Sequence, residues 1–150
     1  MANGYPINSH TNANGMLYEF WQNTHAQAPN SIRSTLVNRA NHVGQFIEVA
    51  GTTAVDAEGN FHGEGDVVAQ THYVLEKIQH AIEQAGGAMS DVVRTRIFVT
   101  SREYMMDVAK VHGEFFRDIL PVSTGVEVSS LVDERLLVEI EASAIISSDS

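Results

Sequence analysis

Three glutamates sit inside strand-like sequence, where carboxylates are uncommon. Glu127 lies in Val126-Glu-Val128, and Glu139 and Glu141 lie in Val138-Glu-Ile-Glu-Ala142. Both segments alternate with a period of two, the pattern of a half-buried strand. Val138, Ile140, Ala142, Ala144 and Ile146 fall on one face, and Leu137, Glu139 and Glu141 on the other. A buried charge is costly unless it is paired, so the glutamate face must meet water, a partner chain or a site. In a partly desolvated cleft such a carboxylate has a raised pKa and acts on water as a general base. Paired with Arg94, Arg96 or a neighbouring subunit, it is structural instead.

Other chemistries find less support. His72 and His80 are eight apart on one expected helix and do not converge, and there is no His-Glu-x-x-His run. His10, His25, His42 and His62 fall in expected loops or strand ends, so no bound metal is expected. His112 falls on or near the core side of a helix and reads as a structural histidine. Ser123 lacks the Gly-x-Ser-x-Gly elbow of a serine nucleophile. Gly63-Glu-Gly65 lacks the lysine and the glycine spacing of a phosphate loop.

Composition narrows the classes further. The 150 residues make one domain with room for a core. There is no cysteine, which removes disulfides and thiolate chemistry and fits a reducing, cytoplasmic setting. Nine Lys and Arg face nineteen Asp and Glu, a net charge of −10. That balance argues against nucleic acid and against an anionic membrane surface. No apolar run is long enough to span a bilayer.

The elements that must position these residues follow in order. Residues 1–30 read as a flexible N-terminal extension around an apolar knot, Met16–Trp21, which packs on the domain or covers a cleft. Residues 31–150 form the domain. Gly44-Gln45 turns a hairpin between Ala40–Val43 and Phe46–Ala50. A helix is expected from Asp66 to Ala85, with a stripe of Val68, Thr71/His72, Leu75, Ile78 and Ile82, and Gly86-Gly87 closing it. Val92–Val99 is a strand with Val93, Thr95, Ile97 and Val99 on one face and Arg94 and Arg96 on the other. Thr100 and Glu103 match a capping box for a second helix carrying Met105, Val108, Val111/His112, Phe115 and Ile119. Pro121 stops it, and the two glutamate strands follow, the first expected over residues 121–130. The order predicts an α+β domain, a mixed sheet with two helices on one face. The other face is left to solvent or to a closed oligomer.

The chain from about Arg33 to Ile146 resembles the RidA/YjgF family of reactive-intermediate deaminases. The resemblance is carried by Val49-Ala-Gly-Thr-Thr-Ala54, Gly65–Thr71, Asp91–Thr100, His112-Gly-Glu-Phe-Phe116, Val126-Glu-Val128 and Val138–Ala142. It implies a chorismate-mutase-like (YjgF) fold and a homotrimer with ligand clefts between subunits, the open sheet faces forming its interior. It implies a small-molecule substrate and no cofactor. Glu139 matches the family's water-positioning, catalytic glutamate, and Gly51 the glycine whose backbone lines the pocket. Thr52 keeps a hydroxyl beside it, and Gly125 lies on the strand that lines the cleft. Ser123 stands where imine-hydrolysing members carry the arginine that holds a substrate carboxylate, Ala109 where they carry a cleft asparagine, and Val37 where they carry a cleft tyrosine. A serine cannot clamp a carboxylate as a guanidinium does. The implied function is a hydrolase or deaminase acting on an imine, enamine or related metabolite. The alternative is a non-catalytic small-ligand-binding trimer, and RNA cleavage is disfavoured by the charge.

Overall fold

The computed structural model describes residues 40–147. The N-terminal extension with Met16–Trp21, position Val37 and residues 148–150 lie outside the described residues.

The described residues form five strands and two helices, in the order β1 (Ala40–Val43), β2 (Phe46–Thr52), α1 (Val67–Gln84), β3 (Val92–Val99), α2 (Met105–Phe116), β4 (Val122–Glu127) and β5 (Val138–Ile145). The sheet order is β1-β2-β5-β3-β4. β3 and β4 are parallel, and the other pairs are antiparallel. The parallel pair follows from α2, which supplies the crossover that a parallel connection needs.

β5 lies at the centre of the sheet, and its residues alternate strictly between the two faces. Val138, Ile140, Ala142 and Ala144 are buried, while Glu139, Glu141 and Ser143 are half-buried on the other face. The buried face joins one core with Val74, Leu75, Ile78 and Ile82 of α1 and Val108, Val111 and Phe116 of α2. Both helices therefore cover one side of a mixed sheet, as the sequence predicts.

α1 starts on Asp66, whose side chain accepts from the Ala69 amide at 3.0 Å, and Gly86 beyond its end takes φ +90°. Its buried stripe begins at Val67, with Val68 exposed, one position from the predicted start. In β3, Val93 is exposed rather than grouped with Thr95. The register against β5 slips between Val92 and Arg94, so Val93 is an extra, bulged residue that turns outward. The predicted Thr100 cap is also displaced. Ser101 accepts from the Glu103 amide at 3.3 Å and caps a short 3₁₀ turn, Arg102–Tyr104, that leads into α2. Beyond α2, Leu120 takes φ +57° before Pro121, where the helical region is disfavoured, and the chain turns into β4. β4 ends at Glu127 rather than continuing to Ser130, and every one of its residues is exposed, as befits an edge strand.

Candidate functional site

Glu139 stands on the uncovered face of β5, directly across from Phe98 on β3. Arg96, across from Glu141, takes that second glutamate at 3.3 Å. The structural pairing considered for Glu139 thus goes to Glu141. Among the described residues, no hydrogen bond or ion pair reaches the Glu139 side chain. Burial pushes its pKa up, and the neighbouring Glu141 charge adds to this. Glu127 is structural: it accepts from the Arg102 amide at 2.5 Å.

A bulge in β2 brings the backbone against this carboxylate. Val49 faces Ala142 and Thr52 faces Ile140, so β2 advances three residues while β5 advances two. Gly51 falls in the bulge. A Cβ there would lie 2.0 Å from Glu139 Oε1, so only glycine leaves room for the carboxylate as placed. Thr52 is not part of this pair. It is buried opposite Ile140 and donates to the Ala50 carbonyl at 2.8 Å, because the bulge resets the strand alternation and turns it to the core side.

Two interior side chains hold these segments. Gln70 of α1 is fully buried. It donates to the Gly63 and Arg135 carbonyls at 3.2 and 2.7 Å and accepts from the Leu137 amide at 2.9 Å, two residues before Glu139. Lys77 donates to the Thr53 and Val55 carbonyls at 2.7 and 2.5 Å, securing the chain just past Gly51.

Ser123, Gly125 and Ala109 gather elsewhere. Ser123 pairs with Thr95 and Gly125 with Ile97. Thr95 and Ile97 are buried toward the helices, so the β4 pair lies on the helix side of the sheet. A Cβ on Gly125 would meet Met105 Sδ at 2.7 Å, which places the strand against the start of α2. Met105, Ala109 and His112 are spaced four and three apart on one face of α2. Thr95 Oγ1 lies 2.9 Å from both His112 Nε2 and Ser123 Oγ. Within one chain, then, the candidate residues form two groups on opposite sides of the sheet: Glu139 with Gly51, and Ser123 with Gly125 and Ala109.

Thr95, Gln70 and the contact that joins His112 to Ser123 were not legible as site features. Alternation marks Thr95 as buried, but only the β3–β4 register reveals which hydroxyl it meets. His62, read as a loop residue, bonds Asp56 at 2.9 Å and stacks on Tyr73 with ring centroids 4.1 Å apart. That bond is the main reason the Asp56 pKa lies far below the usual carboxylate range. No group of three or more His, Asp or Glu with metal-holding geometry occurs among the described residues. No helix among them is long and apolar enough to cross a membrane.

Known proteins share this frame. A family profile described as Endoribonuclease L-PSP matches residues 25–146. A RutC family protein of Pyrococcus abyssi is 35% identical over 107 residues, 71% of this chain and 84% of that protein. The crystal structure of a YjgF/YER057c/UK114 family member from Mycobacterium tuberculosis matches with a TM-score of 0.68 and 38% identity, covering 80% of this chain and 95% of that one. The YjgF gene product of E. coli matches with a TM-score of 0.64 and 28% identity, over 71% and 85% of the two chains. Sequence and fold agree over the span that carries Glu139, Gly51 and Ser123, and the chain belongs to the RidA/YjgF family.

Proposed function

We propose that the protein is a small-molecule hydrolase that releases ammonia from an imine, enamine or related reactive metabolite, with Glu139 activating water. The observation that carries this reading is the Glu139 carboxylate itself: unpaired among the described residues, partly desolvated and set against a glycine bulge. A purely structural carboxylate is normally paired, whereas a general base needs a pKa nearer the working pH and a free oxygen. Water adds to the electrophilic carbon as Glu139 takes its proton. The proton returns to nitrogen, and the carbinolamine collapses to carbonyl and ammonia.

The same reading makes the cytoplasmic protein a homotrimer. Glu139 and Ser123 lie on opposite sides of one sheet, so a cleft that uses both must draw them from two copies. The open face supports burial against a second copy: Phe46 and Val43 are 54% and 65% exposed and pair directly, with Ile145 and Val93 on the same uncovered side. Ser123 in place of a guanidinium favours substrates without an amino-acid carboxylate. RNA cleavage, suggested by the family profile's description, is the weaker reading for a chain of net charge −10.

The test is ammonia release from purified protein over a panel of imines and enamines, with and without a carboxylate. Release confined to carboxylate-free substrates supports the reading. Saturable binding without release on any of them makes the protein a ligand-binding member instead.

A further inference from the structure

The uncovered face of the sheet is laid out in rows that cross the strands. At one end Val43 pairs with Phe46 and Phe46 with Ile145, an exposed apolar row. The next row is charged. Glu48 of β2 pairs with Ser143 of β5, and Ser143 with Arg94 of β3. All three side chains stand on this face, because Ile47, Val49, Thr95, Ala142 and Ala144 beside them in the strands are buried on the other. A third row pairs Arg96 with Glu141, bonded to each other at 3.3 Å. Glu139 lies beyond it, two residues from Glu141 along β5.

The charged row holds its two charges apart. Ser143 stands between them and donates to Glu48 at 2.7 Å. Two strand spacings separate β2 from β3, about 10 Å between their backbones. Among the described residues Arg94 has no hydrogen bond or ion pair, and Glu48 has no ion pair. A hollow of about 80 Å³ opens on the face here, lined by Glu48, Arg94, Arg96, Glu141, Ala142 and Ser143. One guanidinium and one carboxylate thus lie at opposite sides of one row, each without an opposite charge. In water this costs little, but under a second copy each would become a buried, unpaired charge. A ring of copies removes that cost. Head-to-tail contacts join different patches of neighbouring subunits, so the β3 side of one row meets the β2 side of the next. Each copy gives one guanidinium and receives one, and the closed ring leaves no charge over.

We propose that Arg94 of each subunit pairs with Glu48 of the partner subunit, and that this charged row sets the register in which the apolar row packs. Apolar burial by Val43, Phe46 and Ile145 is non-directional. Opposite charges at the two sides of a row give the contact a direction and repel copies docked with like sides together. The proposal rests on the homotrimer of the proposed function and names the contact that orients it; it says nothing of turnover.

The experiment is sedimentation of the full-length protein over a concentration series. It compares the wild type, Glu48→Arg, Arg94→Glu, the double variant, and an equimolar mixture of the two single variants, with far-UV circular dichroism of each. Both positions are exposed in the single chain, so the fold should survive either change. The wild type is expected to sediment as a trimer. Either single reversal should raise the concentration of half-dissociation by about a hundredfold or more. The double variant exchanges the two charges and should return to within about tenfold of wild type. The mixture should associate where neither single variant does, but only in part, because a three-membered ring of mixed copies keeps one contact between like charges. Single variants that assemble like the wild type, or a double variant no better than they are, would overturn the proposal and leave the trimer standing. A double variant that recovers while the mixture stays dissociated would place the pair within one chain, and overturns it too. A dimer showing the same rescue keeps this contact and removes the trimer. A wild type that stays monomeric at every concentration removes both.

Discussion

Replacing Gly51 by alanine separates the placement of the Glu139 carboxylate from its chemistry. The new Cβ would fall 2.0 Å from Oε1, 3.0 Å from Cδ and 3.4 Å from Cγ. Ordinary contact begins at 3.4 Å, so Oε1 must retreat by about 1.4 Å. The obstruction is the far end of a flexible side chain, and Gly51 does not occupy the left-handed backbone region that would exclude alanine. The fold should therefore tolerate the change within about 1 kcal/mol, partly offset by the lower entropy of the unfolded alanine chain. Activity should not tolerate it. A misplacement of about 1 Å costs on the order of a hundredfold in rate when a reaction depends on positioning. The assay is ammonia release by wild type and Gly51→Ala on the best substrate of the panel, beside a thermal melt of each. A well-folded variant with about 1% of wild-type turnover is expected. A well-folded variant with full turnover would contradict this, because the carboxylate would then act from a position the structure does not give it.

Gln70→Leu leaves the Gly63 and Arg135 carbonyls and the Leu137 amide without their partner. It should cost about 3 kcal/mol and lower Tm by about 10 °C in a thermal melt, with kcat falling because β5 is loosened just before Glu139. Glu139→Gln should raise Tm at neutral pH. The folded-state pKa of Glu139 lies above its ordinary 4.5, so the wild type loses stability as pH rises from that value through the folded one, and glutamine does not. The difference between the two melts should grow across this interval and vanish in more acid solution; a glutamine variant less stable at pH 7 contradicts it. Phe46→Glu places a charge in the exposed apolar end of the open face. Light scattering should show the proposed trimer giving way to monomer, and an unchanged mass would move the interface elsewhere.

Much of the fold was legible because its signals are local. The alternation in Val138–Ile146 assigned the faces of β5, and Asp66 and Gly86 marked both ends of α1 to within a residue. The misses have non-local causes. The Val93 bulge is a property of the β3–β5 register, and a strict period of two carried its side chain to the wrong face. Thr100 and Ser101 are both good caps, and only the 3₁₀ turn before α2 decides between them. The same division holds for the candidate site. Glu139 stands out from its own strand, and its neighbour Gly51 from the family resemblance. That Thr52 faces the core was not legible, because the β2 bulge resets the alternation between Val49 and Thr52. The link from His112 through Thr95 to Ser123 joins residues 17 and 28 apart in the chain, and no spacing rule connects them.

The central claim is that Glu139 activates the attacking water, and its most direct test is ammonia release by Glu139→Gln on a carboxylate-free imine that the wild type turns over. Glutamine keeps the size of the side chain and its place against Gly51 but cannot take a proton at working pH. A folded variant that still binds substrate and whose kcat falls by about a hundredfold or more is the expected result. Turnover within twofold of wild type would contradict the account and leave Glu139 a carboxylate without a catalytic role.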